Sequence, residues 1–160
     1  MTKMAAPAAT TTAAAKRPDR IVGRDGRAKA YRPLPVEARR AAIEAGLAAY
    51  DRGDFFEAHE ELEPAWMGSD DPAERALLQG LIKVAAAYVH NVRGNPAGVR
   101  TNLTGARRLL AEAAEVPADN AGGIDLVALL ADVDGRLADL DAHPDVPTLP
   151  APVLRRVAPR

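Results

Sequence analysis

Residues 71–96 constrain this chain more than any other stretch. Asp71-Pro72 is a helix start, a capping side chain followed by the residue best suited to the first turn, with Glu74 three positions after the cap. Arg93-Gly94-Asn95-Pro96 is a stop and a second start: glycine suits the left-handed position after a helix end, asparagine caps, and proline opens the next first turn. Between these signals Leu77, Leu78, Leu81, Ile82, Val84, Ala85, Tyr88 and Val89 form a wide apolar band, with a narrower stripe of Gln79, Lys83, Ala86, His90 and Arg93. A helix with so broad an apolar face needs other helices around it, so this one is the expected centre of a bundle. Gly80 weakens it unless a neighbour packs closely at that point.

The flanking sequence supplies those neighbours. A helix is expected over 36–52, where Ile43, Leu47 and Tyr50 recur at helical steps, and Gly53 ends it. Asp54 caps the next helix, and Glu57 is placed to complete a capping box on the Asp54 amide. Pro64 then interrupts at a mid-helix cost of about 3 kcal/mol, so this helix is expected to kink or stop near Glu63. A fourth helix follows Pro96 to about Glu115, buried through Leu103, Ala106, Leu109, Leu110 and Ala113, with Gly98 and Gly105 as small packing surfaces. A fifth is expected over 124–142, with Leu126, Leu129, Leu130, Val133, Leu137 and Leu140.

Pro144, Pro147, Pro150 and Pro152 leave residues 144–160 as a proline-rich tail that can wrap back through Val146, Leu149 and Leu154. Residues 1–35 show no sustained periodicity and read as a disordered or loosely attached basic arm, leaving 36–143 as one helical domain. Arg52-Gly53-Asp54 and Arg93-Gly94-Asn95 lie 41 positions apart, each between two apolar helices. Two such hairpins have a tetratricopeptide-like character but fall short of the roughly three repeats a solenoid needs. The expected fold is a compact all-α bundle of about five helices built from antiparallel hairpins.

Composition narrows the function classes. The chain has 160 residues and no cysteine, which removes disulfides, thiolate metal sites and cysteine nucleophiles. Nothing approaches a membrane span or a signal-peptide core, so a cytoplasmic protein without a membrane partner is expected. The net charge of -1 conceals an asymmetry: residues 1–40 carry ten basic and three acidic side chains, residues 41–143 eight basic and eighteen acidic. A basic arm on an acidic body offers a nucleic-acid contact through residues 16–40, a reading that ranks behind an arm lying on its own body or left solvated.

The chemistry is concentrated in residues 54–66. Phe55, His59, Leu62 and the sole tryptophan, Trp66, share one helical stripe, flanked by Glu60 and Glu63. One turn apart, His59 and Glu63 can share a divalent ion, with Glu60 beside them as a general base and His90 as a further ligand from the central helix. The spacing His-Glu-x-x-Glu departs in its last position from the His-Glu-x-x-His of zinc proteases. The plainer alternative ranks first: His59 points into the hairpin interface and is satisfied by a carboxylate or by a residue of the third helix. Trp66, Gln79, Lys83, Arg93 and Asn95 are candidate binding residues, with packing, a solvated stripe and helix termini as their plainer roles.

Together, Phe56-Glu57-Ala58-His59-Glu60, Leu62-Glu63, Trp66, Leu78-Gln79-Gly80-Leu81-Ile82, His90 and Arg93-Gly94-Asn95 resemble the bacterial and archaeal domain-of-unknown-function family 309 over residues 39–110. The resemblance implies a small all-α domain and no particular reaction. The first functional expectation is therefore an interaction, scaffold or ligand-binding module acting on a protein or small molecule, with a homodimer as one form. A metal-dependent hydrolase using His59, Glu60, Glu63 and His90 is second, with a divalent metal as its cofactor, and nucleic-acid contact is third.

Overall fold

The computed structural model describes residues 20–22, 28–116, 123–145 and 148–157. Five helices follow one another: α1 (Val36–Asp51), α2 (Phe55–Gly68), α3 (Pro72–Val92), α4 (Pro96–Ala114) and α5 (Leu126–Ala142). Each packs on its chain neighbour, α1 on α2, α2 on α3, α3 on α4 and α4 on α5. The bundle is all-α in its core, as expected. A short antiparallel pair, β1 (Arg20–Val22) with β2 (Ala28–Ala30), precedes it. Most of the expected disordered arm, and Val146 of the tail, lie outside the described residues.

The two related hairpins are closed by the same turn. The Gly53 and Gly94 amides donate to the carbonyls of Tyr50 and Asn91, and the Asp54 and Asn95 amides to those of Ala49 and His90, both at 2.9 Å. These are paired six-to-one and five-to-two bonds around a left-handed glycine, with φ of 79° at Gly53 and 66° at Gly94. A side chain at either glycine would be strained by its backbone. The residue after each glycine also caps the next helix: Asp54 accepts from the Glu57 amide and Asn95 from the Gly98 amide.

That double duty corrects the expected capping box. Because the Asp54 amide is spent on the Ala49 carbonyl, Glu57 has no donor to reach back to, and its carboxylate pairs with Arg52 at 3.1 Å. Glu74 is also diverted. Asp71 caps α3 through the Ala73 amide, while the Glu74 carboxylate accepts from Ser69 and faces Arg39 at 3.5 Å, tying α1 to the start of α3. The expected stop near Glu63 does not occur, and α2 instead runs through Pro64 for one more turn and ends at Gly68. Pro64 and Glu60 are both exposed, so water can take the carbonyl that proline leaves unbonded. The fifth helix opens two residues later than expected, with Asp125 as cap, because Ile124 bridges to Arg156.

Close approaches occur where glycines allow them. A Cβ at Gly80 would meet Leu110 at 2.8 Å, one at Gly105 would meet Lys83, and one at Gly98 the His90 ring. As α3 positions rise their α4 partners fall, so the two helices run antiparallel. In the core Leu62, Leu78, Leu81, Val84, Leu103, Leu110, Leu129 and Val133 are buried. Tyr50, Phe55 and Tyr88 add an aromatic run across α1, α2 and α3, with ring centroids 5.2 and 5.5 Å apart. The tail does wrap back: Leu149 and Leu154 are buried against the bundle.

Candidate functional site

The α2 stripe keeps its expected orientation because apolar residues on both sides hold it. Leu62 and Trp66 are buried and Phe55 is half-buried, so His59, one turn from Phe55 and from Leu62, is held at the edge of the α2–α3 seam. Its side chain is 34% exposed and its Nδ1 lies 3.3 Å from a Glu60 carboxylate oxygen. That partner is the next residue on the same helix. The ring is thus satisfied by a carboxylate, as the plainer reading expected, but by one on its own helix, so this contact does not pin α2 to α3.

Across the seam, α3 presents Gln79, Ile82, Lys83 and Ala86. Together with His59, Glu63 and Trp66 they line a pocket of about 70 Å³. One donor atom from each of His59, Glu60 and Glu63 falls within 4.8 Å of the other two. The pocket thus has apolar walls, from Trp66, Ile82 and Ala86, beside a carboxylate, an imidazole, an amide and an ammonium group, and the Glu60 carboxylate joins His59 and Glu63 in the donor cluster. Lys83 is held by more than its own helix, because the end of its side chain, from Cδ to Nζ, lies over Gly105 of α4. A helix carrying Glu60, Glu61 and Glu63 therefore faces a lysine anchored by a third helix.

His90 is placed elsewhere. Its ring packs on Gly98 at the start of α4, with Nδ1 3.2 Å from the side-chain nitrogen of Asn95. It does not line the pocket and is not among the three clustered donors. The reason lies in helix geometry: His90 is seven positions beyond Lys83, about 10 Å along the axis at 1.5 Å per residue. Arg93 and Asn95 also stand apart from the pocket, Arg93 exposed at the C-cap of α3 and Asn95 capping α4. Of the residues singled out in the sequence, His59, Glu60, Glu63, Trp66, Gln79 and Lys83 come together. Ile82 joins them unforeseen, since a wide apolar band does not reveal which of its edges borders a cleft, and Ala86 joins from the stripe it shares with Gln79 and Lys83.

No helix among the described residues is long and apolar enough to cross a membrane. No curated protein matches the chain. The family model described as "Domain of unknown function (DUF309)" matches residues 43–109, from Ile43 in α1 to Leu109 in α4. That segment contains every residue of the α2–α3 pocket and both glycine-closed hairpin turns, so the similarity to the DUF309 family covers the site.

Proposed function

We propose that this protein is a binding module whose ligand site is the α2–α3 pocket. The site anchors one divalent cation through His59, Glu60 and Glu63, and Gln79 and Lys83 engage an anionic group of the same ligand. The observation that carries this reading is the convergence of three donor atoms within 4.8 Å, two of them from residues that line the pocket. Donors bound to one ion at about 2.0–2.2 Å lie roughly 3–4 Å apart, so side-chain rotation alone closes the set. One imidazole with two carboxylates suits zinc or manganese better than a soft ion.

Size favours binding of a small group. Sites for whole drug-sized ligands occupy about 300–1,000 Å³, whereas this pocket of about 70 Å³ takes an ion, its waters and a small anionic head. The hydrolase alternative requires a carboxylate left over as a base. With His90 engaged at the start of α4, both Glu60 and Glu63 are needed as ligands, which favours binding over catalysis.

The test is calorimetric titration of untagged, chelator-treated protein with Zn²⁺ and Mn²⁺. One equivalent of ion is expected, with affinity lowered at least tenfold by His59→Ala or Glu63→Gln and unchanged by His90→Ala. Absence of uptake, or uptake insensitive to His59→Ala, refutes the proposal.

A further inference from the structure

On the face of the bundle bordered by α1, α3 and α5, residues 148–157 lie as an extended strap. Helix side chains read its main chain. The Asn91 side chain accepts from the Leu149 amide at 3.0 Å and donates to its carbonyl at 3.4 Å. The Tyr88 hydroxyl and Arg136 Nε both donate to the Pro150 carbonyl, at 2.9 and 2.6 Å. The Tyr50 hydroxyl donates to the Pro152 carbonyl at 2.8 Å. Leu149, Pro152 and Leu154 are buried, while Pro150 and Val153 face outward.

We propose that this face is a docking groove for an extended, proline-spaced segment of a partner protein, and that the strap is its occupant in cis. Three observations support it. The donors match a proline-rich peptide: Pro150 and Pro152 have carbonyls but no N–H, and at those positions the groove supplies donors alone. Leu149, Pro152 and Leu154 point inward from an extended chain at steps of three and two, and in such recognition main-chain contacts hold the peptide while side-chain pockets select it. Tyr50, Tyr88 and Asn91 lie within the DUF309 segment at 43–109, whereas the strap lies outside it, so the groove belongs largely to the domain and its occupant does not. The partner segment that fits reads Leu-Pro-x-Pro-x-Leu followed by basic residues, since Arg156 after the strap's last leucine faces Asp51 of α1 at 3.7 Å.

A tethered strap competes at an effective concentration of about millimolar, so free peptide binds the intact chain weakly. The test uses a fluorescent peptide with the sequence of residues 148–157 and the full-length chain. Replacing both tail anchors, Leu149→Ser with Leu154→Ser, is expected to tighten peptide binding at least tenfold. Adding Asn91→Leu is expected to reverse the gain, and a scrambled peptide is expected not to bind. A double variant that keeps its helical circular dichroism yet ignores the peptide, or binds the scrambled one equally, overturns the proposal. Should the double variant unfold, wild-type chain titrated with millimolar peptide decides: shifts of the Asn91 side-chain amide resonances support the groove, and their absence overturns it. A wild-type dimer that peptide dissociates would make a second copy's strap the occupant and overturn the assignment to a partner protein.

Discussion

Gly80 and Gly135 both sit inside long helices, and changing each to alanine should move stability in opposite directions. Alanine in a helix interior gains about 1 kcal/mol over glycine from backbone entropy alone. At Gly135 an added Cβ has nothing within 4 Å, so that gain stands. At Gly80 it meets Leu110 Cγ and Cδ2 at 2.8 Å each, and Leu109 Cβ at 3.5 Å. Leu110 is fully buried, and Cγ is the branch point of its side chain, so it cannot swing aside. Overpacking of this kind costs about 1–3 kcal/mol, leaving Gly80→Ala destabilised by about 1 kcal/mol net. For a chain of this length 1 kcal/mol moves Tm by about 2–4 °C, so the two variants should melt several degrees apart on either side of wild type. Urea unfolding followed at 222 nm, with equal slopes for all three proteins, gives the comparison. If Gly80→Ala stabilises as much as Gly135→Ala, the close contact between α3 and α4 is wrong.

Other perturbations follow from the same contacts. Asn95→Ala removes the cap of α4 and should cost about 1 kcal/mol by urea unfolding. Ser69→Ala removes a hydrogen bond from a buried hydroxyl to the Glu74 carboxylate, a loss of about 1.5–3 kcal/mol by the same assay. Arg107→Gln breaks an exposed α4–α5 ion pair with Asp134 and should change stability by less than about 1 kcal/mol, less still in high salt. Burial pushes the Tyr88 hydroxyl up to about 12 and that of Tyr50 upward as well. Their folded pKa values lie above the unfolded ones, so the associated stability is complete below about pH 10 and is lost as pH rises through the folded values. Tyrosinate absorbance and helical signal should therefore change together in the alkaline range, and Tyr88→Phe should lessen that dependence. Titration well ahead of unfolding would refute it.

The fold was readable because its signals are local and agree with one another. Asp71-Pro72, Gly94-Asn95-Pro96 and Arg52-Gly53-Asp54 mark helix ends by backbone chemistry that needs no tertiary partner, and the stripe from Leu77 to Val89 places α3 at the centre. What sequence missed depended on competition between neighbours. Glu57 and Glu74 had the spacing of capping boxes but found Arg52, Ser69 and Arg39, because a nearby amide was already bonded or a charge stood closer. Pro64 passed without a break because its side of α2 faces water. The pocket was half legible: spacing brought His59, Glu60 and Glu63 onto one helix, and Gln79 and Lys83 onto the facing one. His90 shared a helix with these residues but not their level along it. The strap was visible as buried leucines among prolines, yet its partners Tyr50, Tyr88, Asn91 and Arg136 come from three helices, which no local pattern brings together.

The central claim is that the α2–α3 pocket holds a cation, and paramagnetic line broadening tests it at the level of single side chains. Substoichiometric Mn²⁺ added to untagged protein should broaden the ring signals of His59 and the indole N–H signal of Trp66, which share the pocket, more strongly than the ring signals of His90, about 10 Å further along α3. Broadening as strong at His90 as at His59, or spread evenly over the acidic surface with no preference for His59 and Trp66, would contradict it.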